Sequence, residues 1–92
     1  MAKSVVMFGP KKSGKTLNAA AMLKAYGLKE FIDLDDPWFP EGAALRRRLR
    51  AGMLVLAYDL SGARDFARKH GMLLQTITDA RRRLGAAWRN PR

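Results

Sequence analysis

Residues 9–16 read GPKKSGKT, so Gly9, Gly14, Lys15 and Thr16 satisfy the spacing G-x-x-x-x-G-K-[ST]. That spacing has a chemical purpose. Glycines let successive backbone N–H groups turn inward around an anion, and a helix beginning just beyond adds its partial positive charge. Lys15 is placed to reach the β- and γ-phosphates of a nucleotide, and the Thr16 hydroxyl to ligate Mg²⁺. The expected phosphate contacts are those of Gly9, Pro10, Lys11, Lys12, Ser13, Gly14, Lys15 and Thr16. A glycine-rich turn with no ligand has the same composition, so the flanking elements decide how the motif is read.

A strand before the loop and a helix after it are both legible. Residues 4–8 (SVVMF) are β-branched and apolar and stop at Gly9-Pro10. From residue 15 to 26, Ala19, Met22, Leu23 and Tyr26 fall on one helical face, with Gly27 where a left-handed cap belongs. Residues 31–34 predict a short second strand, followed by Asp35-Asp36-Pro37 and a loop holding Trp38 and Phe39. A helix is expected over 43–51 with Leu45 and Leu49 inward, then a strand over 53–58 (MLVLAY). The unbroken apolar run in that strand suits burial on both faces, as in a parallel sheet. Ser61 is expected to cap a helix carrying Ala63, Phe66 and Ala67 inward and ending at Gly71. A fourth strand is expected over 72–77, and Thr78 is expected to cap a last helix with Ala80, Leu84 and Trp88 on one stripe. Strands alternating with helices predict an α/β fold, a small parallel sheet of four strands flanked by helices.

Ninety-two residues form one expected domain, 1–92, with no repeat or linker. There is no cysteine and one histidine, His70, which excludes a disulfide framework, a thiolate redox site and a histidine-built metal centre. No apolar run is long enough to span a bilayer, and the stretch at the N-terminus is too short for a signal peptide. The expected setting is cytoplasmic, without membrane contact. Eighteen Lys and Arg against eight Asp and Glu leave a net charge of +10, unevenly spread. Residues 1–45 carry six Lys and five acids, whereas residues 46–92 carry eleven Arg and one Lys against Asp59, Asp65 and Asp79. An arginine-rich second half predicts a polyanionic partner, nucleic acid or an acidic protein.

With its flanking elements, GPKKSGKT resembles the Walker A loop of the P-loop NTPase superfamily. The order of the later elements is similar to the small-molecule and polynucleotide kinase branch, zeta-toxin-like and polynucleotide-kinase-like proteins included. The stretches that carry this likeness are YGLKEFIDLDD (26–36), LRAGMLVLAYD (49–59) and ARDFARKHG (63–71). Small P-loop proteins encoded by bacteriophages share a similar shape, with an acidic cluster soon after the first helix. The resemblance implies a truncated, three-layer P-loop fold that binds ATP or another nucleoside triphosphate with Mg²⁺. It implies kinase-like phosphotransfer or slow hydrolysis, with an aspartate ending the second strand as the base. Asp35 is the first choice and Asp33 the next, Lys15 acting beside them. Asp59, after an apolar strand, takes the place of the aspartate that holds the Mg²⁺ hydration shell beside Thr16; the same position suits an ordinary helix cap. Leu60 follows it where motor-type ATPases carry a glutamate, which argues against a hydrolytic motor.

Arg81, Arg82 and Arg83 lie about where the resembled kinases carry lid arginines, although three consecutive helical residues point about 100° apart and cannot all serve one site. Arg46, Arg47, Arg48 and Arg50 form a second run. Trp38 and Phe39 are candidates to line a cleft or stack on a base. Little chain follows residue 83 to enclose a nucleobase, so a partner subunit is one expected source of enclosure.

Overall fold

The computed structural model describes residues 4–10 and 14–90. In chain order the elements are β1 (Val5–Phe8), α1 (Ala19–Tyr26), β2 (Glu30–Asp33), α2 (Gly42–Ala51), β3 (Met53–Ala57), α3 (Leu60–His70), β4 (Leu73–Thr76) and α4 (Ile77–Leu84), with a 3₁₀ turn over Gly85–Ala87. The four strands form one parallel sheet in the order β2-β3-β1-β4. This is the α/β architecture expected, a sheet flanked by four helices in three layers. No helix among the described residues is long and apolar enough to cross a membrane.

Strand composition explains strand position. VVMF and MLVLA are apolar throughout and occupy the centre, where both faces are covered; all five residues of β3 are buried. EFID and LLQT carry polar residues and take the edges, leaving Phe31 and Leu73 more than two-fifths exposed. Alternation then divides the core. Val5, Met7, Leu54 and Leu56 face α1 and α4, packing with Ala19, Met22 and Ala80. Val6, Met53, Val55 and Ala57 face α2 and α3, packing with Leu45, Ala63 and Ala67.

The crossovers place the loops. From β1 the chain passes beyond β3 to β2 by way of α1, and from β3 it passes beyond β1 to β4 by way of α3. These crossovers run in opposite directions, so right-handed connections put α1 and α3 on opposite faces. The loops leaving the neighbouring strands β1 and β3 therefore diverge and open a crevice at the carboxyl edge of the sheet.

Local capping departs from expectation in instructive ways. Gly27 and Gly71 close α1 and α3 in the left-handed conformation, as expected. After each, the next amide reaches back a turn, Leu28 to the Leu23 carbonyl and Met72 to that of Ala67, both 2.8 Å. At the other ends the caps lie upstream of those predicted. Asp59, not Ser61, caps α3. Thr76, not Thr78, caps α4 in a reciprocal box with Asp79, which leaves β4 shorter than predicted. Regular α1 starts at Ala19 rather than at residue 15, with turns over 15–18. Strand β2 starts one residue earlier than predicted, although the Leu34 amide extends the ladder to the Leu56 carbonyl at 2.8 Å.

Candidate functional site

The glycine loop leaves β1 at the crevice. The Gly9 amide continues the ladder to the Ala57 carbonyl at 3.0 Å, so the loop starts from a fixed point on the sheet. Lys11, Lys12 and Ser13 lie outside the described residues. Gly14 is buried with φ 93°, a conformation that favours glycine, and its carbonyl accepts the Asn18 amide at 3.0 Å. Lys15 folds back toward Gly9 and Pro10, where the chain leaves β1. Its ammonium donates to the Gly9 carbonyl at 2.5 Å and to the Pro10 carbonyl at 3.0 Å. Burial pushes its pKa below the ordinary lysine value, and the charges of Asp33 and Asp35 partly offset that. Thr16 is exposed beside it.

The acidic turn after β2 divides by role. Asp33 ends the strand opposite Leu56 and is half-buried. Burial first, then the neighbouring Asp35 charge, raises its pKa, while Lys15 pulls the other way. Asp35 is exposed and acts on Lys15 and Asp33 alike. Asp36 is structural: its Oδ1 accepts the Trp38 amide at 2.7 Å and its carbonyl accepts that of Phe39 at 3.0 Å. Lys15, Asp33 and Asp35 are therefore electrostatic neighbours. A carboxylate made more basic beside an ammonium is suited to taking a proton from a hydroxyl.

Asp59 is exposed, and its Oδ2 accepts the Gly62 amide at 2.8 Å at the start of α3. The ordinary cap reading is thus satisfied. Asp59 also lines, with Leu34, Asp35, Ala57, Tyr58 and Gly62, a cavity of about 140 Å³. Asp35 and Asp59 flank this space at the carboxyl edge, although it is far smaller than a nucleotide pocket. Among the described residues no three acidic or histidine side chains gather as a metal cage. Mg²⁺ does not require one, since it commonly binds through one or two carboxylates plus phosphate oxygens and water. Thr16 and Asp59 are both exposed, but among the described residues no contact joins them, and Asp59 Oδ2 is already engaged by the Gly62 amide.

The arginines after β4 are not gathered at the loop. Because α4 starts at the carboxyl edge and runs away from it, residues 81–83 lie at its far end. Arg83 donates to the Ala25 carbonyl at 3.2 and 3.3 Å and lies 4.6 Å over the Tyr26 ring, at the last turn of α1. Arg81 lies 5.9 Å over Trp88, and Arg82 acts on Asp79. The aromatic pair separates as well. Phe39 packs edge-on against Phe66 at 5.5 Å, whereas Trp38 is 86% exposed. His70 is half-buried, 4.5 Å from the Phe66 ring.

Sequence reasoning passed over Asn18. It is 1% exposed and hydrogen-bonded to both Gly14 and Arg89. Its signal was a polar residue four positions before Met22, on the stripe that otherwise carries the core. Comparison with protein-family models, with curated proteins and with solved structures finds no match to this chain.

Proposed function

We propose that this chain binds a Mg-nucleoside triphosphate, ATP foremost, through residues 9–16. The observation that carries the reading is the Lys15 ammonium, held at the end of β1 by the Gly9 and Pro10 carbonyls and acted on by the charges of Asp33 and Asp35. A phosphate chain offers that ammonium stronger, charged acceptors than two carbonyls. The crevice at the carboxyl ends of β1 and β3 is where open parallel sheets take their ligands, which favours the same place. Both features accord with the resemblance to the P-loop NTPase superfamily and its kinase-like branch.

In this reading the loop amides and Lys15 hold the β- and γ-phosphates, and Thr16 and Asp59 hold Mg²⁺ directly or through water. The ion, when bound, neutralises charge between those phosphates. Asp35 or Asp33 would accept the proton of an attacking hydroxyl as its oxygen bonds the γ-phosphorus and the bond from that phosphorus to the β-phosphate oxygen breaks, releasing the nucleoside diphosphate; the reaction class is phosphoryl transfer to an alcohol, with water the slow alternative. Titrating ATP, GTP and ADP with and without Mg²⁺ while following thermal unfolding tests the reading. At a hundredfold excess over Kd, ATP should add about 2.7 kcal/mol of stability. Lys15→Ala should abolish that gain; a gain retained in the variant sinks the reading.

A second reading concerns a different surface. Arg46, Arg47 and Arg50 on α2 and Arg64 and Arg68 on α3 are exposed, on the same face of the sheet, and their guanidinium groups make no hydrogen bond or ion pair among the described residues. That layer suits a nucleic-acid backbone. Its affinity should fall steeply between low and moderate salt as counterions are released, and a flat response removes the idea.

A further inference from the structure

Between α2 and α3, on the face of the sheet away from α1 and α4, lies a groove of about 550 Å³. It is far larger than the space beside Asp35 and Asp59, and no described residue of the glycine loop lines it. Three rings do. Phe66 and His70 stand four positions apart on α3, so helical geometry puts both on one side. Phe39 comes from the loop after β2, where its amide donates to the Asp36 carbonyl at 3.0 Å. Phe39 and Phe66 meet edge-on at 5.5 Å, and His70 lies 4.5 Å from Phe66 at 45°. An edge-on pair covers a face of one ring only and leaves the faces of the other to further partners. Burial first, then the Lys69 charge, lowers the His70 pKa, so at neutral pH its imidazole is an uncharged ring. The buried Leu45 adds to this apolar lining.

Positive charge accompanies the rings. Arg46 and Lys69 line the same groove, one from each helix. On those two helices Arg47, Arg50, Arg64 and Arg68 extend the basic layer, exposed and with guanidinium groups unengaged among the described residues. Arginines alone hold a chain of phosphates and are indifferent to its bases. Rings set among them supply what a base requires, a flat apolar face beside the charges that hold its backbone.

We propose that the groove between α2 and α3 takes an unpaired base of single-stranded nucleic acid, while the arginines of both helices hold its phosphates. The inference rests on the nucleic-acid reading of this layer and is independent of the glycine loop. A base inside a duplex is stacked on both sides and presents only its edge, so it cannot enter. Glu41, which also lines the groove, disfavours the carboxylates of an acidic peptide, whereas every base carries an N–H that a carboxylate can accept.

Fluorescence polarisation with a labelled oligothymidylate and with an abasic oligomer of the same length and charge separates base from backbone. The wild-type chain should bind the oligothymidylate about tenfold more tightly. Phe66→Leu, which keeps the groove apolar, should remove most of that advantage and leave the abasic affinity and the slope of affinity against salt unchanged. Phe66 also packs against the core, so a second measurement uses the intact chain. Ultraviolet crosslinking of an oligomer carrying iodouracil should join the strand to Phe39, Phe66 or His70. Equal affinity of the wild-type chain for the two oligomers overturns the proposal, as does crosslinking confined to Trp38 or Trp88. An acidic peptide of the same charge with a single phenylalanine, if it binds as tightly as the oligothymidylate and displaces it, overturns the proposal in favour of a protein partner. Where both oligomers bind equally and release steeply with salt, only this inference falls. Where neither binds at low salt, the nucleic-acid reading of the arginine layer falls and takes the groove with it.

Discussion

The layer formed by α1 and α4 and the layer formed by α2 and α3 seal opposite faces of one sheet with similar apolar side chains, yet they treat polar groups differently. On the first, Arg83 closes the end of α1, Arg81 lies over Trp88, Asn18 holds Arg89, and Tyr26 donates to Gln75 at 3.3 Å. On the second, Arg48 pairs with Glu30 while Arg46, Arg47, Arg50, Arg64 and Arg68 project into solvent. The runs 46–48 and 81–83 look alike as strings of arginine. One is largely a charged surface and the other is largely joinery. Carbonyl and ring contacts leave the charges of Arg81 and Arg83 in place, so the contrast lies in how firmly each guanidinium is held, not in how much charge it carries.

The largest expected effect tests whether the two layers belong to one unit. Leu56→Ala opens a cavity beneath α1 and α4 and should cost about 2–5 kcal/mol. Val55→Ala, facing α2 and α3, should cost less, and both variants should unfold in a single transition seen alike by circular dichroism and tryptophan fluorescence. Separate transitions would divide the molecule between its layers.

Next in size is the contrast between the arginines themselves. Arg83→Gln should lower stability by about 1 kcal/mol, through the lost cap and ring contacts, and leave DNA affinity nearly unchanged. Replacing Arg46, Arg47 and Arg50 together with Gln should do the reverse, flattening the salt dependence of DNA binding while the thermal midpoint holds. Equal effects of the two variants on DNA would erase the distinction between the layers.

The smallest effect lies at the edge between them. Burial and Asp35 hold the Asp33 pKa above the ordinary carboxylate value, so the folded chain binds this proton more tightly than the unfolded chain does. The resulting penalty is absent below the unfolded pKa and grows as pH rises through the folded one. Asp33→Asn should therefore raise the thermal midpoint slightly at about pH 7 and leave it unchanged at about pH 3. A midpoint unaltered at neutral pH would mean that Asp33 is as well solvated as an ordinary surface acid. A gain would fit a group kept for chemistry at some cost in stability.

Much of this architecture is legible residue by residue. Ala19, Met22, Leu23 and Tyr26 share one face because helical periodicity is a local property, and Gly27 stops the helix because it accepts a left-handed backbone. The apolar run of β3 announces a strand buried on both sides. The caps were less legible, since Asp59 and Ser61, or Thr76 and Thr78, are equally good capping residues. Which of them caps depends on where the sheet ladder ends. The acidic turn was ambiguous for a similar reason: Asp33, Asp35 and Asp36 differ in burial and partners, not in type.

By itself the sequence determined the alternation of strands and helices, the two apolar faces and the glycine loop between the first strand and helix, because periodicity and turn chemistry act over a few residues. Tertiary structure decided the strand order, the crevice between β1 and β3, and the nearness of Lys15 to Asp33 and Asp35. It also joined Asn18 to Arg89 across 71 positions of sequence, paired Arg48 with Glu30 and set Arg83 against the end of α1 while Arg46, Arg47 and Arg50 project into solvent. Such pairings depend on the direction of each crossover and on where the chain turns back, which no local pattern encodes.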